Sequence, residues 1–301
     1  MPTEISLQKT EARTKLRAFK KSKIILKRDV FFVPGWTDQA CLCWTEPYTE
    51  SGEERLPDWE YTVKDWEYIV GNPEKIHYIQ LTKNKNAITI TRDNRGKIKK
   101  VEFKSDPSYK YICFFEFAEL LKNKIRAEMR KKVIKEIDLI GHSMGGLDII
   151  SAVTLDPALD NYPEVKKFIK TKSLNNVGFV ITAATPYKGS VPADISKYTG
   201  LDEMLRPEWS DGIRKQCENM ASDSEFIRII NQAGARNRLL QTAKKGVHTF
   251  SGGDDSAVRP KDAFIEGAVN HRPFKLAAHS QKMGITQDPR LHLELFKLLG
   301  T

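Results

Sequence analysis

Residues 135–152 read KEIDLIGHSMGGLDIISA, and this stretch restricts the fold more than any other. The run VIKEIDLI ends at Ile140 and reads as a buried strand. Small residues follow at once, Gly141, Ser143, Gly145 and Gly146, and then Leu147, Ile150 and Val153 recur at helical spacing until Pro157 stops the run. A strand that turns straight into a helix through glycines belongs in a mostly parallel sheet with helices packed on both faces.

The remainder of the chain repeats that alternation. DVFFVPG (29–35) is a short apolar run feeding a Pro-Gly turn, KIHYIQL (75–81) is a second strand candidate, and NVGFVITAATP is a buried strand ending at Pro186. AITITRD and KIKKVEF, separated by NRG, read as a hairpin over 88–103. SYKYICFFEFAELLKNKIRAEMRKK has apolar residues on one helical face. Further on, Ser222 and Glu225 form a capping-box pattern before Phe226, Ile229 and Ile230. GVHTFSGGDDSAV is a strand entering a loop, FKLAAHS is a short last strand, and DPRLHLELFKLL closes the chain with Asp288 as N-cap and Pro289 at the first helical position.

Composition excludes several classes. With 40% hydrophobic and 29% charged residues over 301 positions, the chain has the makings of a real core and is neither collagen-like nor disordered. No apolar run reaches the 18 or so residues of a membrane span, since YICFFEFAELL is broken by Glu116 and Glu119. The N-terminus shows no secretory pattern, which makes the expected location cytoplasmic. Cys41, Cys43, Cys113 and Cys217 form no C-x-x-C pair and read as reduced thiols, so no metal and no cofactor are expected. The net charge of +10 lies largely in KTEARTKLRAFKKSKIILKR and LKNKIRAEMRKKVIKE, both read as solvated helix faces. Neither run carries a nucleic-acid signature, whereas Ile5, Leu16 and Phe19 leave open peripheral contact with an anionic membrane surface.

In a parallel sheet, sites gather at the carboxyl ends of the strands, and Ser143 stands at one of them. A serine hydroxyl needs a base to take its proton, and an imidazole base needs a carboxylate to fix its tautomer. The loop GGDDSAV offers Asp255, preferred over Asp254 because Val258 anchors the turn behind it. Of the six histidines, His279 follows FKLAA at the correct edge, with His271 in NHRPF second. His77 and His248 fall in or beside strand runs, His142 lies inside the turn with its ring away from Ser143, and His292 fits a half-exposed position on the last helix. An oxyanion would be held by the Met144 N–H and by a donor after DVFFVPG, Trp36 or Thr37, with Trp36 preferred.

Gly141-His142-Ser143-Met144-Gly145 fits the G-x-S-x-G elbow, a pattern that chance alone puts in roughly one chain of this length in ten. VFFVPGW, GHSMGG, TAATPYKGS, and SGGDDSAV with AAHS, in that order, extend the likeness, and from about Asp29 onward the chain resembles the lipase and esterase type of the α/β-hydrolase superfamily. The resemblance implies a Ser-Asp-His order of catalytic residues, an acyl ester substrate that is a small molecule or lipid, and a helical cap or lid over 187–246. It departs at Pro34-Gly35, where lipases usually show His-Gly, and at Tyr187 after Thr185-Pro186. One α/β-hydrolase domain over 1–301, carrying a basic helical extension over 1–28, is the expected organisation; the 88–103 hairpin is unusual in the family and reads as an insertion. A thioesterase or amidase uses the same machinery, a catalytically silent binding module keeps the same fold, and oligomeric state is not encoded in any pattern here.

Overall fold

Short, almost wholly apolar strands build the centre of the molecule. The computed structural model describes residues 4–35, 66, 68–79, 88–92, 98–103, 114–157, 163–199, 211–279 and 284–300. Its strands in chain order are β1 (Asp29–Val33), β2 (Ile76–Tyr78), β3 (Ile88–Arg92), β4 (Ile98–Phe103), β5 (Ile137–His142), β6 (Val177–Ala183), β7 (Ala243–Phe250) and β8 (Val269–Asn270). Six of them form one sheet in the order β2-β1-β5-β6-β7-β8, every neighbouring pair parallel. β3 and β4 pair antiparallel as the separate hairpin expected from the sequence.

Strand residues alternate between two cores, as the period of two requires. Phe31, Val33, Leu139, Val180 and Val247 enter one cluster, while Val30, Phe32, Ile140, Ile181 and Phe250 enter the other. The first is covered by α2 (Phe114–Lys132), α3 (Met144–Thr154) and α4 (Pro163–Phe168). The second lies under α1 (Glu4–Ser22) and the last helix. Both faces are buried, which is why the strands read as continuous apolar runs. Among the described residues no helix is long and apolar enough to cross a membrane.

Several expectations shift. α5 (Val191–Thr199), α6 (Asp211–Met220), α7 (Glu225–Ile230) and α8 (Ala233–Thr242) occupy the segment assigned to a cap. From its second half, Phe226, Ile230 and Leu239 join the α2 and α3 core, and the Phe226 ring lies tilted against Phe114 with centroids 4.6 Å apart. Residues 243–246 already belong to β7. The cap of α7 is Ser224, whose side chain accepts from the Ile227 N–H at 3.1 Å, and the Ser222 N–H is instead taken by Asp194 at 2.6 Å.

The described part of FKLAAHS, residues 274–279, forms no strand. Leu276 adopts a left-handed φ of 55°, and the Ala277 N–H turns back to the Phe274 carbonyl at 3.1 Å, so the extended run breaks there. The short α9 (Pro260–Ala263) and β8 come before it, and α10 (Pro289–Leu299), capped by Asp288 as expected, comes after. The basic runs are only partly solvated. Lys9 is buried on α1 with its Nζ 3.3 Å from Asp288, and Lys122 is buried on α2, donating to the Thr171 carbonyl at 2.7 Å. Of the four cysteines, Cys217 is buried and in no disulfide among the described residues, and the other three lie outside the described residues.

Candidate active site

The parallel order brings the carboxyl ends of β5, β6 and β7 to one edge, and Ser143 sits there as the first residue after β5. Its backbone is held at φ 52°, ψ −126°, a conformation that costs roughly 1–3 kcal/mol for a non-glycine residue. Neighbouring contacts over-determine it. The Ser143 N–H donates to the Ala183 carbonyl at 2.9 Å, and the Ser143 carbonyl accepts from the Gly146 N–H at 3.0 Å. A Cβ on Gly145 would strike the Pro34 and Val33 carbonyl oxygens, and one on Gly146 would strike the Thr185 side chain. Glycine at these two positions therefore lets α3 start directly beneath the turn.

His279 and Asp255 arrive from two loops laced together by main-chain bonds. The Gly253 N–H donates to the Phe274 carbonyl at 2.8 Å, and the Asp254 N–H donates to Ala277 at 3.1 Å. Asp255 Oδ1 accepts the Ala257 and Val258 N–H groups at 2.9 and 2.8 Å, with Val258 buried behind the turn. Its other oxygen, Oδ2, lies 2.8 Å from His279 Nδ1, and His279 Nε2 lies 2.8 Å from Ser143 Oγ. A carboxylate accepts only, so Nδ1 carries the proton and Nε2 is left as acceptor for the serine hydroxyl. The Asp255 side chain is fully buried, whereas the His279 ring keeps 19% exposure. Asp254, the neighbouring acid, is exposed.

The other histidines are elsewhere. His271 pairs with His248, its Nε2 3.0 Å from His248 Nδ1, and stacks on Phe250 at 4.0 Å. Burial, then the nearby His271, push His248 down to about 4. His77 contacts Asp29 at 2.7 Å and accepts from Lys132. His292 is not half-exposed: it is fully buried, takes the Trp66 indole N–H at 2.9 Å and donates to the Thr286 carbonyl.

His142 was set aside by the sequence as a ring turned away from Ser143, yet it enters the site from behind. Its Nε2 donates to the His279 carbonyl at 2.8 Å, and the two rings lie 5.1 Å apart. Complete burial, then the proximity of His279, push it down to about 3, so the ring is neutral near pH 7. No motif marks this contact, because it joins a strand end to a loop 137 residues away.

Met144 occupies the first position of α3, where an amide has no acceptor within its own helix. Trp36 and Thr37 lie outside the described residues. Gly35, the residue before Trp36, lies against Ser143: a Cβ there would come within 3.3 Å of the serine Cβ. Among the described residues no group of three or more His, Cys, Asp or Glu side chains could hold a metal ion.

No protein-family model matches the sequence, and no curated protein matches it. Solved structures do. The mature lipase BlEst2 of Bacillus licheniformis superposes with a TM-score of 0.52 at 14% identity, over 92% of this chain and 93% of that one. Phospholipase PlaB of Legionella pneumophila gives 0.51 at 14% identity, over 92% of this chain. The chain spans 60% of the length of that phospholipase. At such identities the likeness is one of fold.

Proposed function

We propose that this chain, which has the α/β-hydrolase fold, is a serine hydrolase that cleaves carboxylic acyl esters. The observation that carries the reading is the unbroken line from Ser143 Oγ through the His279 ring to Asp255, with both contacts at 2.8 Å. In this reading His279 Nε2 takes the hydroxyl proton as Ser143 Oγ attacks the ester carbonyl. Asp255 holds the Nδ1 proton and stabilises the imidazolium. The oxyanion is held by the Met144 N–H at the start of α3 and by the Trp36 N–H beyond Gly35, each donor worth roughly 10²–10³ in rate. The tetrahedral intermediate collapses, the proton on Nε2 passes to the leaving alcohol, and an acyl-Ser143 ester remains. Water, deprotonated by His279, then releases the acid and restores the serine.

The ester preference is supported by the two neighbours, one named a lipase and the other a phospholipase, on the same fold. An ester with an apolar acyl chain is the substrate class proposed here.

Fluorophosphonate labelling tests the reading without choosing a substrate. The expected adduct lies on Ser143 and is lost in His279→Ala. In Ser143→Ala, turnover of p-nitrophenyl acyl esters drops by roughly 10⁴-fold or more. Unchanged turnover in that variant removes Ser143 from the mechanism.

A further inference from the structure

His279 stands in a stretch without regular secondary structure. Among the described residues, the bonds that place it include an isolated bridge between Ala278 and Gly284, the Ile285 N–H to the Ala278 carbonyl at 2.9 Å, the Asp255 contact to its ring and the His142 contact to its carbonyl. The residue is gripped at both ends by consecutive residues of one strand end. Ser143 meets its ring and His142 meets its carbonyl, each at 2.8 Å.

The His142 ring sits in a space kept open by Gly35, where a Cβ would come within 3.0 Å of Nδ1. It is enclosed, only 4% exposed, and rooted in β5, which is paired on both sides by β1 and β6. A side chain rooted in the centre of the sheet thus holds the main chain of the residue whose ring meets Ser143.

We propose that His142 is a positioning residue for His279: its Nε2–H, bonded to the His279 carbonyl, sets the imidazole at proton-transfer distance from Ser143. The proposal rests on the reading of Ser143, His279 and Asp255 as the reacting set. Its chemical content is a donor at one place, so an amide that reaches the carbonyl substitutes for the ring and one that falls short does not. Glutamine extends one methylene further than asparagine, which makes His142→Gln and His142→Asn the informative pair.

With p-nitrophenyl butyrate, kcat in His142→Asn falls about 10- to 100-fold, the scale of an ångström-sized misplacement. KM changes little, fluorophosphonate labelling slows in proportion, and the acid limb of the rate profile moves. His142→Gln recovers most of the rate. Thermal melts of both variants separate these effects from unfolding, since a role confined to packing lowers Tm but leaves kcat per labelled site and the acid limb alone. Folded His142→Asn with wild-type kcat and acid limb, or His142→Gln no better than His142→Asn, overturns the proposal.

A wild-type protein that neither labels nor turns over ester removes the hydrolase reading by itself. The low-field NMR signal of the His279 Nδ1 proton bonded to Asp255 then decides separately. Shifted or broadened in His142→Asn and kept in His142→Gln, it supports the positioning role; identical in all three proteins, it overturns it.

Discussion

Asp148 lies in the first turns of α3, five residues after Ser143, and is completely buried. Its carboxylate oxygens have no hydrogen-bond partner among the described residues, and burial raises its pKa well above the usual carboxylate range. Folded chains therefore keep a proton that unfolded chains release above about pH 3.9. Stability is lost as pH rises through that value, over the range in which only the unfolded carboxyl ionises. His142 and His248 act in the opposite direction. Held down to about 3 and about 4, they contribute stability that is present above pH 6.5 and lost as pH falls toward those values. Replacing Asp148 by Asn removes one of two opposed slopes, so its stability relative to wild type should grow from pH 4 to pH 7. Urea titrations at several pH values read this directly; a pH-independent difference would show that the carboxyl is ionised in the folded state. Ser143 and its partners Asp255 and His279 could be selected by residue type and place along the chain. His142 and Asp148 could not, because burial and a carbonyl 137 residues away leave no mark on local sequence.

At the scale of elements, polarity patterns located most strands and helices, and the misreadings fell where tertiary contacts compete with local signals. Ser222 and Ser224 are both plausible caps for α7. The choice falls to Ser224 because its hydroxyl also donates to the Asn219 carbonyl at 2.6 Å, while Asp194 draws away the Ser222 N–H. Ser224→Ala should cost about 1–2 kcal/mol in chemical denaturation, and exposed Ser222→Ala only a few tenths. Equal losses would contradict the assignment of the cap. FKLAAHS has the composition of a strand, but after the left-handed turn at Leu276 the Ala277 carbonyl takes the Asp254 N–H, which ties the loops of Asp255 and His279 to each other. A continued strand would have carried His279 past that loop.

Over the whole molecule, the least expected feature is how fully the basic N-terminal run joins the fold. Ala12 and Leu16 enter the second core with Leu291, Leu295 and Phe296 of α10, and Phe19 packs edge-on to Phe296 at 6.2 Å. Burial alone would raise the Asp288 carboxyl, but bonds from Arg290 and the charge of Lys9 outweigh it and hold it below its usual range. Removing residues 1–22 exposes that surface and strips Lys9 from Asp288, a loss of roughly 3 kcal/mol or more. A truncated chain with the Tm of the full one would return the segment to a detachable extension. The sequence by itself determined the parallel α/β architecture and the elbow at Ser143, because periodicity, glycine spacing and strand-helix alternation act over a few neighbouring residues. Only the tertiary structure showed that His279 and Asp255, preferred for their places along the chain, meet that serine in one line, and that His142 bonds the His279 carbonyl. Those contacts depend on how separate loops close at one sheet edge, a packing outcome set by main-chain bonds between segments far apart in the chain.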